Sequence, residues 1–172
     1  MGFSWQHLGV LGVALAVAIA LQQNPQLSDL QKQNKIEALY QKLARNFSEV
    51  PEITVEELQQ LPKEAVVLVD VRPLKERVVS TIPGAISTEE FEANLHSYRQ
   101  YPIVVYCTIG YRSGYYAQKM AQEDLDIYNL RGSLLAWSHI DGKLTNRFGD
   151  TKQIHVYSKK WQLAADGYEA MW

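Results

Sequence analysis

The chain contains one cysteine, Cys107, in the segment Val104-Val105-Tyr106-Cys107-Thr108-Ile109-Gly110-Tyr111-Arg112-Ser113-Gly114. An apolar β-type run from Pro102 to Tyr106 delivers the sulfur into a short loop, and a helical pattern follows from Ser113 to about Glu123. A sulfur so placed faces backbone N–H groups at a helix start. That setting favours the thiolate, and the thiolate is the nucleophile. Residues 108 to 112 are expected to curl around it with their amides pointing inward as an anion nest. Gly110 allows a backbone conformation that a Cβ opposes. Arg112 is the nearest cation in sequence; it either stabilises the thiolate directly or pairs with a carboxylate and stiffens the loop. Ile109 and Tyr111 fall at the rim.

The elements that must hold this loop are legible as strand and helix patterns. Ala65 to Val71 (AVVLVDV) is a continuous apolar run, as in a strand buried on both faces. Asp70 and Arg72 stand at its end, where an ion pair between them braces the base of the loop. Ile127 to Leu130 is a third strand. Thr54-Val55-Glu56-Glu57 is a capping box opening a short helix through Leu61. Ser87 or Thr88 caps a helix through about Leu95, and Gly132 to Ile140 reads as helix with Trp137 in the core. Strands alternating with helices predict an α/β fold, with a mainly parallel central sheet flanked by helices. In such sheets ligands bind at the carboxyl ends of the strands, where Cys107 lies.

Four pieces occur in order: Asp70-Val71-Arg72, Ile82-Pro83-Gly84-Ala85, Cys107-x-x-Gly110-x-Arg112-Ser113 and Gly132-x-x-x-Ala136-Trp137. From about Glu52 to Ile140 the chain resembles a single-domain rhodanese-homology (rhodanese-like) sulfurtransferase. The resemblance implies an enzyme that takes sulfane sulfur from a donor as a persulfide on Cys107. It then passes the sulfur to a thiol or other thiophilic acceptor, without a cofactor. Cys107 and Arg112 become the catalytic residues and Thr108, Ile109, Gly110, Tyr111 and Ser113 the substrate-binding loop, supported by Asp70 and Arg72. Ser80-Thr81 stand where the family commonly has Gly-His, and the acidic residue usual after Asp-x-Arg is replaced by Glu76, four residues on. Thr108-Ile109 make the loop less positive than a dianion such as thiosulfate prefers. The related phosphatases and arsenate reductases place five residues between Cys and Arg. Four separate Cys107 from Arg112, which favours sulfur over a tetrahedral oxyanion. The alternative is a non-catalytic, membrane-tethered interaction module with the same fold.

The 172-residue chain divides into an apolar segment (1–22), a helical linker (23–50), the rhodanese-like domain (51–140) and a C-terminal extension (141–172). Met1 to Leu21 contain no Asp, Glu, Lys or Arg, and the apolar stretch is close to the roughly 20 residues that span a bilayer. A single-pass anchor helix is expected, with a cleaved export signal as the alternative. Lys32, Lys35, Lys42 and Arg45 follow the segment and place the catalytic domain on the cytoplasmic or equivalent side. In the linker, Ser28 or Asp29 caps a helix with Ile36, Leu39, Tyr40, Leu43 and Phe47 at helical spacing. Its surface is compatible with a protein partner. The extension reads as irregular, with aromatics (Phe148, Tyr157, Trp161, Tyr168, Trp172) that predict packing but no assigned role. A net charge of -2 without a basic stripe points away from nucleic acid. His7, His96, His139 and His155 are scattered without metal-ligand spacing.

Overall fold

In the computed structural model, which describes residues 26–172, five parallel strands frame the cysteine. They are β1 (Glu52–Ile53), β2 (Val67–Asp70), β3 (Ile86–Ser87), β4 (Ile103–Tyr106) and β5 (Ile127–Leu130), in the spatial order β1-β5-β4-β2-β3. The central strand, β4 (IVVY), is buried along its whole length. Successive side chains of a strand point to opposite faces. Val104 and Tyr106 accordingly join one core with Ile109, Leu134 and Leu135, while Ile103 and Val105 join the other with Phe47, Phe91 and Met120. Two layers of helix therefore hold the strand that ends in Cys107.

Seven α-helices surround the sheet: α1 (Asp29–Ala44), α2 (Val55–Gln60), α3 (Leu74–Arg77), α4 (Thr88–Ala93), α5 (Leu95–Tyr98), α6 (Tyr111–Met120) and α7 (Ser133–Ser138), counted among the described residues. The Thr54/Glu57 capping box closes reciprocally on α2, and Ser28 with Gln31 does the same on α1. Two expectations are corrected. The helix after the cysteine begins at Tyr111, not Ser113, because Gly110 with φ 101° is its N-cap. The helix expected to run through Leu95 breaks at Asn94 (φ −122°, ψ 24°), giving α4 and α5. The edge strands β1 and β3, two residues each, are too short to leave an alternating pattern in sequence.

The C-terminal extension is ordered secondary structure rather than the irregular tail expected. β6 (Leu144–Asn146) and β7 (Gly149–Thr151) form a hairpin, and β8 (Gln153–His155) pairs in parallel with β9 (Glu169–Met171). Its Ile154, Val156 and Leu163 are buried in the same core as Val104 and Leu134. The expected apolar helix of residues 1–22 lies outside the described residues. Among those described, no helix is long and apolar enough to cross a membrane.

Candidate active site

Cys107 follows β4 directly and is 1% exposed. Its own N–H donates to Ser133 Oγ (3.1 Å), and its carbonyl accepts from Leu134 N–H (3.3 Å), so the α7 start grips the loop from below. Ser133 holds a positive φ of 47° after Gly132 at 66°, which turns its hydroxyl toward Cys107 instead of toward its own helix. The Gly110 N–H donates to Cys107 Sγ at 3.2 Å. Ser113, in the first turn of α6, brings its backbone N–H toward the sulfur, while its hydroxyl donates to Asn129 Oδ1. Of the backbone amides around the sulfur, that of Gly110 is within hydrogen-bond distance. Burial pushes the Cys107 thiol up. The Arg112 charge, followed by the Ser113 and Gly110 hydrogen bonds, outweighs it and leaves the thiol below its ordinary value.

Arg112 fills both roles left open by its position in sequence. Its guanidinium donates in fork geometry to Glu76 (Nη1–Oε1 2.7 Å, Nη2–Oε2 2.8 Å) and reaches Thr108 Oγ1 at 3.1 Å. It also stabilises the Cys107 thiolate through its charge. Burial raises the Glu76 carboxyl, but Arg112 and then Arg72 bring it below the ordinary carboxylate range, so it is ionised. Glu76 on α3 therefore supplies the carboxylate that sequence placed four residues past Arg72.

Asp70 and Arg72 form the expected brace and do not touch the sulfur. Arg72 Nε and Nη2 donate to the two Asp70 oxygens (2.9 and 2.7 Å), and Nη2 also donates to the Ser80 carbonyl at 2.6 Å. Thr81 Oγ1 bridges Asp70 Oδ2 (3.1 Å) and the Tyr106 hydroxyl (2.7 Å), which accepts from Ile82 N–H at 3.0 Å. Thr81 thus does tying work at the position where Gly-His was expected, joining the ends of β2 and β4.

Several supporting residues gave little sign in sequence. Asn129 on β5 donates to the Gly110 carbonyl (2.9 Å) and the Tyr40 hydroxyl (3.0 Å), and accepts from Ser113 Oγ (2.7 Å). A polar residue inside an apolar strand was the available signal. Tyr40 of α1 packs where a Cβ on Gly110 would come within 2.5 Å of its ring. From the extension, Tyr157 stacks over Arg112 with 5.5 Å between guanidinium carbon and ring centroid. His155 Nδ1 accepts from Tyr157 N–H at 3.2 Å and lies 3.9 Å from Glu76. Burial holds His155 below its ordinary value, so its ring is neutral near pH 7. A cleft of about 320 Å³ opens in front of the sulfur, lined by Leu43, Cys107, Thr108, Ile109, Tyr111, Arg112, Tyr157 and Trp161. Ile109 is buried in its wall, while Tyr111 is exposed at the rim.

Residues 54–140 match the family described as Rhodanese-like domain. The chain belongs to the rhodanese-like domain family. It is similar in structure to a thiosulfate sulfurtransferase from Pseudomonas aeruginosa: TM-score 0.53, 22% identity, covering 64% of this chain and 23% of that one. It is also similar to a rhodanese-related protein from Thermoplasma volcanium (TM-score 0.49, 21% identity, 55% and 97% covered) and to a rhodanese-like domain protein from Staphylococcus aureus (0.46, 28%, 51% and 91%). At 22% identity the likeness to the Pseudomonas protein establishes the rhodanese fold, and this chain spans 23% of that protein's length. No curated protein matches the sequence. The rhodanese-like match ends at residue 140, so Tyr157 and Trp161 are walls added to the cleft from beyond the family core.

Proposed function

We propose that this chain is a sulfurtransferase that carries sulfane sulfur as a persulfide on Cys107. The supporting observation is the sulfur's setting: Sγ sits at the carboxyl end of the central strand, 3.2 Å from the Gly110 N–H, in a field that lowers the thiol. The Cys107 thiolate attacks the outer sulfur of a donor, the donor's sulfur bond breaks, and its remainder leaves with the electron pair. The Gly110 and Ser113 N–H groups and Arg112 then stabilise the anionic terminal sulfur. An incoming acceptor thiol gives its proton to that terminal sulfur; the acceptor thiolate so formed attacks it, the Cys107 sulfur–sulfur bond breaks, and the Cys107 thiolate leaves with the bonding pair. Only four residues separate Cys107 from Arg112, which supports a single sulfur atom as the cargo. Incubating the chain with a sulfane donor is expected to add one sulfur to Cys107 in the mass spectrum; no addition with any donor class overturns the reading.

The near-complete burial of Cys107 favours a second reading, a rhodanese-fold interaction module without turnover. Retention of cellular function by Cys107→Ser supports that module, and its loss supports transfer. The uncharged residues 1–21 support tethering to a membrane, and Lys32, Lys35, Lys42 and Arg45 after them support the domain's lying on the cytoplasmic or equivalent side. Release of the intact chain by alkaline wash contradicts the tether.

A further inference from the structure

Among the described residues, the cleft that leads to Cys107 has one cationic side chain in its lining, Arg112, and that charge is already matched twice. Glu76 takes both arms of the guanidinium, and the Cys107 thiolate shares its field. His155, next to Glu76, is neutral and adds no cation. A second negative charge brought to the sulfur therefore meets no unspent positive partner among the described lining residues, and burial makes that deficit expensive.

The remaining walls are apolar or aromatic: Leu43 from α1, Ile109 and Tyr111 from the loop, Tyr157 and Trp161 from the extension. At about 320 Å³ the cleft falls in the range of small-ligand pockets and is far larger than one sulfur atom requires. Tyr157 is held at φ 68°, a conformation costly for a residue with a bulky side chain, with its ring over Arg112. The ring covers one face of the guanidinium, while its in-plane Nη1 and Nη2 groups are directed to Glu76 and Thr108.

We propose that the donor is an organic sulfane-sulfur compound with at most one negative charge and a bulky apolar group, selected by Tyr157 and Trp161. This rests on the sulfur-transfer reading above. With benzenethiosulfonate as probe, the Cys107 thiolate attacks the outer sulfur and the sulfur–sulfur bond breaks. Benzenesulfinate leaves with the bonding pair, and Cys107 becomes the persulfide anion. One negative charge enters and one leaves, so no oxidant or reductant is needed.

The test compares loading of Cys107 in the 172-residue chain by benzenethiosulfonate, methanethiosulfonate and thiosulfate, read as kcat/KM with a common thiol acceptor. The two thiosulfonates differ in apolar bulk at constant charge, and thiosulfate adds the second charge. The phenyl donor is expected to exceed the methyl donor by about 10- to 200-fold, the range of one apolar group in a fitted pocket. Thiosulfate is expected to be the slowest. Trp161→Ala is expected to narrow the phenyl-to-methyl ratio about tenfold, and Tyr157→Ala, at a mostly exposed position, provides the same readout without a folding risk. A ratio near one, or a ratio unchanged in both variants, overturns the proposal. Efficient loading by thiosulfate overturns it too while leaving sulfur transfer intact. Loading by none of the three removes both.

Discussion

At the scale of single residues, the chemistry turns on how Arg112 divides its charge between Glu76 and Cys107. Burial alone would hold the sulfur protonated, and Arg112 is the largest influence in the opposite direction. The rate of Cys107 alkylation by iodoacetamide follows the thiolate fraction. It is expected to rise with pH through a midpoint below that of an ordinary thiol. Arg112→Ala is expected to move that midpoint upward, and Arg112→Lys to move it less, because the ammonium keeps the charge but loses the fork to Glu76. A midpoint unmoved by Arg112→Ala contradicts the electrostatic role. Cys107, Gly110 and Arg112 could be picked out from spacing alone, because a strand, a glycine and a cation in close order leave few arrangements. Glu76 could be seen but not assigned, since nothing in sequence says that α3 folds back against a loop 36 residues away.

At the scale of elements, α6 is set by contacts on its rear face. Gly114 has no side chain because the Phe47 ring occupies that space, and Gly110 is closed off by Tyr40. Gly114→Ala is expected to destabilise the fold by about 1–3 kcal/mol through overpacking, despite alanine's better helix propensity. Phe47→Leu in the same chain is expected to recover part of that loss. Urea unfolding of the two single variants and the double variant measures the coupling; additive losses contradict direct packing. Strands β2 and β4 were legible because runs of valine and isoleucine are conspicuous, and β5 because a short, mostly apolar run recurs after a helical pattern. The start of α6 was misplaced by two residues because Gly110, read as a loop residue, also serves as the helix cap. The extension was read as irregular because its strands are three residues long and its order comes from distant partners such as Val104 and Leu134.

At the scale of the whole molecule, the two segments outside the family core meet each other. Lys32 of α1 is buried yet donates to Asp29 (3.1 Å) and to Asp166 of the extension (2.6 Å), and Asp166 N–H donates back to Asp29 at 2.9 Å. Burial pulls the Lys32 ammonium down, but the two carboxylates raise it overall, so it stays charged. Lys32→Met keeps the buried stem and removes the charge, while Asp29 and Asp166 remain 39% and 71% exposed at their side chains. The variant is expected to lose about 1 kcal/mol of stability, with faster hydrogen exchange at residues 163–170 than in the sheet. Equal protection of that segment in both proteins contradicts the clasp. Leu43 and Trp161 line the same cleft although 117 residues separate them in the chain.

The bare backbone at Gly114 also bears on ancestry. Its φ is ordinary for a helix, and the nearest atoms to a Cβ added there belong to the Phe47 ring. In a homologue lacking the segment that carries Phe47, that constraint vanishes, and any small helix former can take the place. Glycine at that position in α6 and an aromatic ahead of the first strand should therefore be gained and lost together among related chains.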